Sequence, residues 1–226
     1  MMKFFSALFD LDGTLLDTIP DLALACNAMR ADLDLPALPL ERIATFVGKG
    51  TENLVRRALA DVPGAAPDTA QALDLFHRHY ALCNGRHSRL YPGVLEGLRD
   101  FLDQGLRLAV VTNKPERFAR PLLEQTGLAP YFELVVGGDT CARKKPDPLP
   151  FLHACEQLGM AAASALVVGD SLNDAQAARA AGIPVLLVPY GYNEGRDVQS
   201  LESDGIVASI ACAARWVRQA NQTANA

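Results

Sequence analysis

Two carboxylates stand two positions apart where an apolar run of the chain ends. The run covers residues 4–9, and Asp10 and Asp12 follow it, with Gly13 and Thr14 directly after them. An apolar strand that ends in two like charges is unfavourable unless those charges are used or compensated. Paired carboxylates at such a position are candidates for nucleophilic attack, acid–base chemistry or the binding of a cation.

Other reactive or charged side chains follow later apolar runs. They are Thr112 and Asn113, Lys144 and Lys145, and Asp170 with Asp174 one helical turn further on. Taken singly, each has an ordinary structural explanation, such as an Asx turn, a helix cap or a solvated basic turn. In an open α/β sheet, however, ligands bind beyond the carboxyl ends of the strands. The occurrence of these groups at successive strand ends therefore predicts one shared functional site.

Short and nearly continuous apolar runs supply the strands that would position these groups. The runs cover residues 4–9, 106–111, 134–136, 165–168 and 185–188. Helical patterns occur at residues 94–104, 116–125, 148–158 and 173–181. Apolar runs without polar alternation are typical of strands that are covered on both faces. The alternation of strands and helices predicts an α/β fold with a doubly wound, mostly parallel sheet, that is, a Rossmann-like core.

One long stretch interrupts this alternation, because from Ile19 to about Asn84 only helical patterns occur. Thr18 is predicted to cap the first of these helices, with Asp21 three residues after the cap. The further predicted helices cover residues 40–46, 51–60 and 68–83, separated by the segments VGKG and VPGAAP.

The helical stretch predicts a two-part organisation. We expect an α/β catalytic core at residues 1–16 and 90–226 and an inserted helical cap at residues 17–89. Because the insert follows the first strand, it is placed to act as a lid over the site. A decorative subdomain without a role in the reaction is the alternative.

The polar clusters lie within four longer motifs: FDLDGTLLDT, VVTNK, KKPDPLPF and VVGDSLNDAQAARAAG. Together these resemble the four motifs of the haloacid dehalogenase superfamily, in its phosphatase branch. The resemblance extends over almost the whole chain. The helical insert is similar to the small cap that this branch carries between its first and second motifs.

The resemblance implies roles for the first two carboxylates. Asp10 would be the nucleophile that attacks the phosphoryl group, giving an aspartyl-phosphate that water then cleaves. Asp12 would act as general acid and base, first towards the leaving alcohol and then towards water. Strand geometry agrees with this, because residues two apart share one face and can both point at the same phosphate.

The resemblance also implies a Mg²⁺ ion, which suits hard oxygen ligands. It would be held by Asp10, Asp170 and the backbone carbonyl of Asp12, which leaves the Asp12 side chain free to carry a proton. Asp174 would orient the metal-bound waters or the catalytic lysine.

A second set of residues would bind the phosphoryl group itself. Thr112 would donate a hydrogen bond to a phosphoryl oxygen, beside the backbone N–H of Asn113. Lys145 would neutralise charge on the phosphoryl group and on Asp10. We favour Lys145 over Lys144 because it directly precedes Pro146.

Within the branch, the segments DTIPDL, LYPGV, TNKP, KKPDPLP and VPYGYN resemble phosphoglycolate phosphatases. The implied substrate is 2-phosphoglycolate, and Lys49, in a loop flanked by glycines, is a candidate to bind its carboxylate. Arg56 and Arg57 are alternative anchors, and ordinary solvated helix charges are an equally good explanation of all three. Other small organic phosphates, including a sugar phosphate, are alternative substrates.

Three other functions compete with this interpretation. A dehalogenase would use the same nucleophile, but it needs neither Mg²⁺ nor an acid for a leaving alcohol. A phosphomutase differs only in the fate of the aspartyl-phosphate, which the sequence does not decide. A phosphoacceptor signalling module is disfavoured because such modules carry no long helical insert after the first strand.

Composition narrows the classes of partner. Half of the 226 residues are apolar and the net charge is −5, which disfavours binding to nucleic acid or anionic lipid. No stretch of the sequence approaches the roughly 20 apolar residues that span a bilayer. We expect no signal peptide, and the five scattered cysteines are typical of reduced thiols. We therefore expect a cytoplasmic enzyme for a small phosphorylated metabolite, with no prediction of its oligomeric state.

Overall fold

The structure is a computed structural model of the 226-residue chain that describes residues 3–60, 62 and 68–224. Its strands are β1 (Ser6–Phe9), β2 (Leu16–Asp17), β3 (Arg89–Leu90), β4 (Arg107–Val111), β5 (Leu134–Val136), β6 (Ala165–Gly169), β7 (Val185–Leu187) and β8 (Gly205–Ile206). Its α-helices are α1 (Ile19–Asp32), α2 (Leu40–Ala44), α3 (Thr51–Ala58), α4 (Thr69–Cys83), α5 (Val94–Asp103), α6 (Glu116–Gln125), α7 (Leu149–Gln157), α8 (Leu172–Ala180) and α9 (Ile210–Thr223). Among the described residues, no helix combines the length and the apolar composition that crossing a bilayer requires.

Six of the strands form one parallel sheet in the order β5–β4–β1–β6–β7–β8. β1 lies inside this sheet, with Ser6 opposite Arg107 of β4 on one side and Ala165 of β6 on the other. The predicted α/β fold with a doubly wound, mostly parallel sheet is therefore confirmed. Because β4, β1 and β6 are adjacent and run in the same direction, the residues that follow these three strands lie close together at one edge of the sheet.

Apolar side chains cover both faces of this sheet. In β1, Ala7 and Phe9 belong to one buried cluster and Leu8 belongs to another. In β4, Val110 and Ala109 divide between the same two clusters. Burial on both faces explains why the strands are continuous apolar runs in the sequence.

The five predicted strands are confirmed, with ends that differ by at most two residues from the predicted ones. The sequence does not predict β2, β3 and β8, because each is only two residues long and gives no apolar run. Helix α9, which packs against α5, also lies outside the predicted elements.

Helices α1–α4 lie between β2 and β3 and share a buried apolar cluster of their own. Phe118 of α6 also belongs to this cluster, so the helical segment rests on the α/β part. In the antiparallel β2–β3 pair, Leu16 lies opposite Leu90 and Asp17 opposite Arg89. The chain therefore leaves and re-enters the α/β part at one place, which is where the predicted domain boundaries fall. The division itself stays a prediction, and the predicted connection at 62–67 lies, apart from Val62, outside the described residues.

Thr18 occupies the predicted N-cap position of α1, but its side chain does not cap the helix. Helix α1 does begin at Ile19, but the Thr18 side chain makes no capping hydrogen bond and its backbone is already helical, with φ −107° and ψ −1°. Asp21 does not complete a capping box either. Its carboxylate is fully buried and accepts hydrogen bonds from the backbone N–H groups of Gly85 and Ser88, at 3.0 and 2.9 Å. Asp21 thus stabilises the loop that leads back to the sheet.

Replacing Asp21 by Ala is expected to lower the free energy of unfolding by about 3 kcal/mol, because it leaves buried donors without an acceptor. These donors include the Ser88 hydroxyl, 2.6 Å from Oδ2. The matched control is Thr18→Val, which removes a hydroxyl that makes no capping bond and should cost less than about 1 kcal/mol. Urea unfolding of both variants measures the difference, and equal losses would contradict this assignment.

Candidate active site

The carboxyl ends of β1, β4 and β6 bring the predicted site residues to one edge of the sheet. Asp10 follows β1, Thr112 follows β4 and Asp170 follows β6, and all three are buried. Asp10 and Asp12 line a narrow cavity between this edge and the helical segment. Its remaining walls are Leu22, Val47, Gly48, Gly50, Thr51, Leu54, Thr112, Asn113 and Lys114.

Asp10 is held by two donors on the same carboxylate oxygen. The backbone N–H of Leu11 lies 2.7 Å from Oδ1, and Nζ of Lys145 lies 3.1 Å from it. Burial raises the pKa of Asp10 to about 7, although Lys145 lowers it, and the charge of Asp174 raises it further. Without an added cation, the ionised carboxylate is therefore poorly stabilised at this position.

In Mg²⁺-free protein, Asp10→Asn is expected to stabilise the fold more at about pH 8 than at about pH 5. The pKa of Asp10 is about 7 in the folded chain against 3.8 ordinarily, so between these values the folded chain keeps a proton that the unfolded chain has lost. Raising the pH through this window destabilises the wild type, whereas Asn has no such proton. Thermal unfolding with a chelator tests this, and an equal difference in Tm at both pH values would contradict it.

Asp170 sits in a cradle of backbone and hydroxyl donors. Its Oδ1 accepts from the Thr14 hydroxyl at 2.6 Å, and its Oδ2 accepts from the Tyr192 N–H at 2.6 Å. Two glycines allow this approach, because a Cβ at Gly13 or Gly191 would lie 2.4 or 2.2 Å from Oδ2. Gly13 also has φ +89°, a conformation that residues with a side chain rarely adopt. Burial, followed by the charges of Asp174 and Asp10, raises the pKa of Asp170 well above its ordinary value.

Lys145, and not Lys144, reaches the carboxylates. Lys145 is buried, and its Nζ donates to Asp174 Oδ1 at 2.6 Å and to the Val111 carbonyl at 2.7 Å, besides its contact with Asp10. Burial lowers the pKa of Lys145, but Asp10 and Asp174 outweigh burial and raise it. Lys144 is exposed.

Asp174 orients this lysine and also helps to cap the N-terminus of helix α8. Its Oδ2 accepts from the Ser171 hydroxyl at 2.6 Å and from the Ser171 N–H at 3.1 Å, which completes a capping box. Because its other oxygen binds Lys145, the whole carboxylate is engaged by protein donors. Of the two tasks predicted for Asp174, the geometry fits contact with the lysine.

The carboxylate cluster fits a divalent cation. Asp10, Asp170 and Asp174 each present an oxygen, and these oxygens lie within 4.8 Å of one another. Both oxygens of Asp170 and both oxygens of Asp174 accept hydrogen bonds from the protein, but Asp174 also pairs with the Lys145 ammonium. Asp170, together with Asp10, is therefore the better candidate to bind a metal. Four acidic groups face two ammonium groups along this edge: Asp10, Asp12, Asp170 and Asp174 against Lys114 and Lys145. Hard oxygen donors with an excess of negative charge are the surroundings that Mg²⁺ prefers.

Asp12 has a partner that the sequence reasoning missed. Both of its carboxylate oxygens accept from Nζ of Lys114, at 2.9 and 3.2 Å. The same Nζ donates to the hydroxyl of Tyr80 at 2.6 Å, and Lys114 and Tyr80 are both buried. The sequence did offer one indication that Lys114 belongs to the site, because it directly follows Thr112 and Asn113 at the end of β4.

Asn113 ties the helical segment to the sheet. Its side-chain amide donates to the carbonyl of Gly48 and to the carbonyl of Lys145, both at 2.9 Å. Asn173 of α8 donates to the same Gly48 carbonyl at 3.2 Å. The Asn113 side chain therefore helps to hold the loop that carries Lys145, while its predicted role uses the backbone N–H.

The structure does not bring Lys49 to the cavity that Asp10 and Asp12 line. Its Nζ pairs with Oε2 of Glu194 at 2.9 Å, and its side chain is 45% exposed. Arg57 pairs with the other oxygen of Glu194 at 3.0 Å, and exposed Arg56 contacts Asn53. Glu194 is far away from Lys49 in the sequence but lies next to it in the fold, and the role of Lys49 in substrate binding stays a prediction.

Comparisons with known proteins agree with these features. The family model described as haloacid dehalogenase-like hydrolase matches residues 7–188. A phosphoglycolate phosphatase of Thiobacillus denitrificans is 52% identical over 95% of this chain and 96% of its own length. The corresponding protein of Nitrosospira multiformis is 50% identical over 96% of each chain. The crystal structure of a predicted phosphoglycolate phosphatase from Haemophilus somnus has a TM-score of 0.88 at 34% identity, covering 96% of this chain and 99% of that one.

A fourth relative was crystallised with a sugar bisphosphate. A mutant of CbbY from Rhodobacter sphaeroides, in complex with xylulose-1,5-bisphosphate, has a TM-score of 0.77 at 25% identity, covering 93% of this chain and 96% of that one. The fold is thus shared with a protein that was crystallised with a ligand larger than phosphoglycolate.

Proposed function

This chain belongs to the haloacid dehalogenase-like hydrolases, and we propose that it is a Mg²⁺-dependent phosphatase that hydrolyses 2-phosphoglycolate through an aspartyl-phosphate. One observation carries the mechanism: the buried Asp10 carboxylate lines a cavity at the end of a central strand, with the Lys145 ammonium 3.1 Å away. The substrate is supported by the names of relatives that share half of their residues with this chain over nearly its whole length.

In the first step, the Asp10 carboxylate attacks the phosphorus while the bond to the ester oxygen breaks. The leaving alkoxide takes a proton from Asp12. In the second step, water attacks the phosphorus of the aspartyl-phosphate and the bond to the Asp10 oxygen breaks, which releases inorganic phosphate and the Asp10 carboxylate. Asp12 takes the proton from the water and is again the protonated acid. Mg²⁺, held by Asp10, Asp170 and the backbone carbonyl of Asp12, would supply positive charge beside the phosphoryl oxygens.

The remaining proposed residues stabilise charge on the phosphoryl group. Lys145 faces Asp10 and is kept in place by Asp174, so its ammonium is positioned before the substrate arrives. The Thr112 hydroxyl and the Asn113 N–H would donate to phosphoryl oxygens from the end of β4. Such fixed donors act mainly on the charge that is spread over the phosphoryl oxygens in the transition state.

The helical segment at residues 17–89 would serve as a cap that closes over this chemistry. Support comes from the cavity, whose walls include Leu22, Val47 and Leu54 of that segment. Exclusion of bulk water by such a cap strengthens the electrostatic interactions inside.

Sugar phosphates are the alternative substrate class, because of the similarity to the sugar-bisphosphate complex. A phosphatase or a phosphomutase for a sugar phosphate would use the same nucleophile. Product analysis distinguishes the two, since a mutase returns an isomeric phosphate ester and a phosphatase returns inorganic phosphate.

The proposal is tested by measuring phosphate release from a panel of small phosphate esters with Mg²⁺ and with a chelator. The panel includes 2-phosphoglycolate, glycerol phosphate and a hexose phosphate. We expect the highest kcat/KM for 2-phosphoglycolate and loss of activity in the chelator. A preference of about a hundredfold for another ester, equivalent to about 2.7 kcal/mol, would contradict the substrate but not the mechanism.

A further inference from the structure

Lys114 is a buried ammonium group in the cavity that the proposed mechanism does not use. It lies at the end of β4, has an exposure of only 4%, and lines the cavity together with Asp10 and Asp12. In the proposed mechanism Lys145, which contacts Asp10, neutralises charge on the phosphoryl group, so Lys114 is not needed for that task. A buried ammonium is costly unless an anion accompanies it, and Asp12 is that anion except when it carries the proton that the proposed mechanism requires.

The position of Lys114 relative to Asp12 indicates which part of a substrate it would face. Asp12 is proposed to give its proton to the ester oxygen, so the rest of the alcohol begins beside the Asp12 carboxylate. Nζ of Lys114 lies 2.9 Å from Oδ1 of that carboxylate. A group one or two bonds beyond the ester oxygen is therefore within reach of the ammonium, on the side away from the phosphorus.

Tyr80 keeps the ammonium in this position. Its hydroxyl accepts from Nζ at 2.6 Å, and Nζ lies 4.7 Å from the centre of its ring. Tyr80 is itself packed between Phe76 and Phe118, with ring centres 5.5 and 5.1 Å away. Because Tyr80 belongs to α4, the helical segment fixes the direction in which Lys114 points.

An ammonium has three donors, and both Asp12 oxygens, at 2.9 and 3.2 Å, and the Tyr80 hydroxyl, at 2.6 Å, accept from Lys114 Nζ. The contact with the farther Asp12 oxygen is the longest of the three, so a substrate carboxylate that takes its place keeps the ammonium fully hydrogen-bonded. In 2-phosphoglycolate the carboxylate is separated from the ester oxygen by a single methylene group. We propose that Lys114 binds this carboxylate and thereby selects substrates whose alcohol part carries a negative charge next to the ester. This inference rests on the proposed function.

The experiment compares two esters of similar length, 2-phosphoglycolate and 2-hydroxyethyl phosphate, in which a neutral alcohol replaces the carboxylate. In Lys114→Met we expect kcat/KM for 2-phosphoglycolate to fall by about a hundredfold, the usual result of removing one partner of a buried charge pair. For 2-hydroxyethyl phosphate we expect a loss at least about tenfold smaller, because only the contact of Lys114 with Asp12 is removed there. The preference ratio, kcat/KM for 2-phosphoglycolate divided by kcat/KM for 2-hydroxyethyl phosphate, therefore falls by about tenfold or more. The ratio does not depend on how much of the protein is folded, because both esters are measured on the same preparation.

Two further variants sharpen the result. Lys114→Arg keeps the positive charge and is expected to keep most of the ratio, even where the absolute rates fall. Lys49→Met removes an exposed lysine that pairs with Glu194, and we expect it to keep the wild-type ratio.

Several outcomes would overturn the inference. Equal losses with both esters in Lys114→Met would mean that Lys114 supports Asp12 or the phosphoryl group and not the carboxylate. Loss of the ratio in Lys49→Met, with Lys114→Met unchanged, would assign the carboxylate to Lys49. Failure of the proposed substrate has a distinct signature, since the wild type itself would then show no preference for 2-phosphoglycolate, and the inference would fall with it.

Discussion

Replacing Asp10 by Asn is expected to reduce kcat by about 10⁴-fold or more, as removal of a catalytic nucleophile does in other hydrolases. An amide of the same shape has no negative charge and does not attack phosphorus. The Asn side chain can still accept the hydrogen bond from the Leu11 N–H that now ends on Oδ1. The loss therefore reports on chemistry and not on the shape of the site.

Folding of this variant is expected to be intact, because the substitution removes a buried charge that burial already disfavours. Thermal unfolding and circular dichroism check this independently of activity. The matched control is Asp103→Asn, the same change at an exposed carboxylate at the end of α5, which should leave kcat unchanged. Near-normal phosphate release by a folded Asp10→Asn variant would refute the role of Asp10.

Replacing Lys145 by Ala is expected to reduce kcat by about 10³-fold or more, because it removes the fixed positive charge beside the nucleophile. The Lys145 ammonium now contacts both Asp10, at 3.1 Å, and Asp174, at 2.6 Å. Without it, these buried carboxylates repel each other and the proposed nucleophile loses its orientation. Steady-state kinetics with 2-phosphoglycolate and saturating Mg²⁺ measures the effect.

The neighbouring lysine provides the control for this experiment. Lys144 is exposed, and Lys144→Ala should change kcat by less than about threefold. Because Lys145→Ala also leaves buried carboxylates without a cation, its folded fraction is measured by thermal unfolding and the rate is corrected for it. A corrected loss of less than tenfold in Lys145→Ala, or a larger loss in Lys144→Ala, would move the role to Lys144.

The sheet was predictable because its strands are buried on both faces. The run that ends in Val111, for example, is apolar and buried at four consecutive positions, residues 108–111, and this is a strong local signal. The two-residue strands β2, β3 and β8 leave no such signal, because neighbouring segments of the fold define them. The arrangement at Thr18 was not predictable for a similar reason. Asp21 has the spacing of a cap, yet it binds a loop more than sixty residues away in the sequence.

The same distinction holds for the candidate site. Asp10, Thr112 and Asp170 follow strands, so their convergence follows from the direction of a parallel sheet. The contact of Lys114 with Tyr80 depends on how α4 rests against the end of β4, and no local pattern encodes that. The pairing of Lys49 with Glu194 likewise joins segments that are distant in the sequence.

The central claim is that Asp10 carries the phosphoryl group between the two steps, and one measurement tests it most directly. Wild-type protein and Mg²⁺ are mixed with a slight excess of 2-phosphoglycolate, quenched in acid within the first turnover, and digested for mass spectrometry. We expect the peptide that contains Asp10 to carry the mass of one phosphoryl group, and the Asp10→Asn peptide to carry none. Release of phosphate in that first turnover with no label on Asp10, or with the label on another residue, would contradict the account.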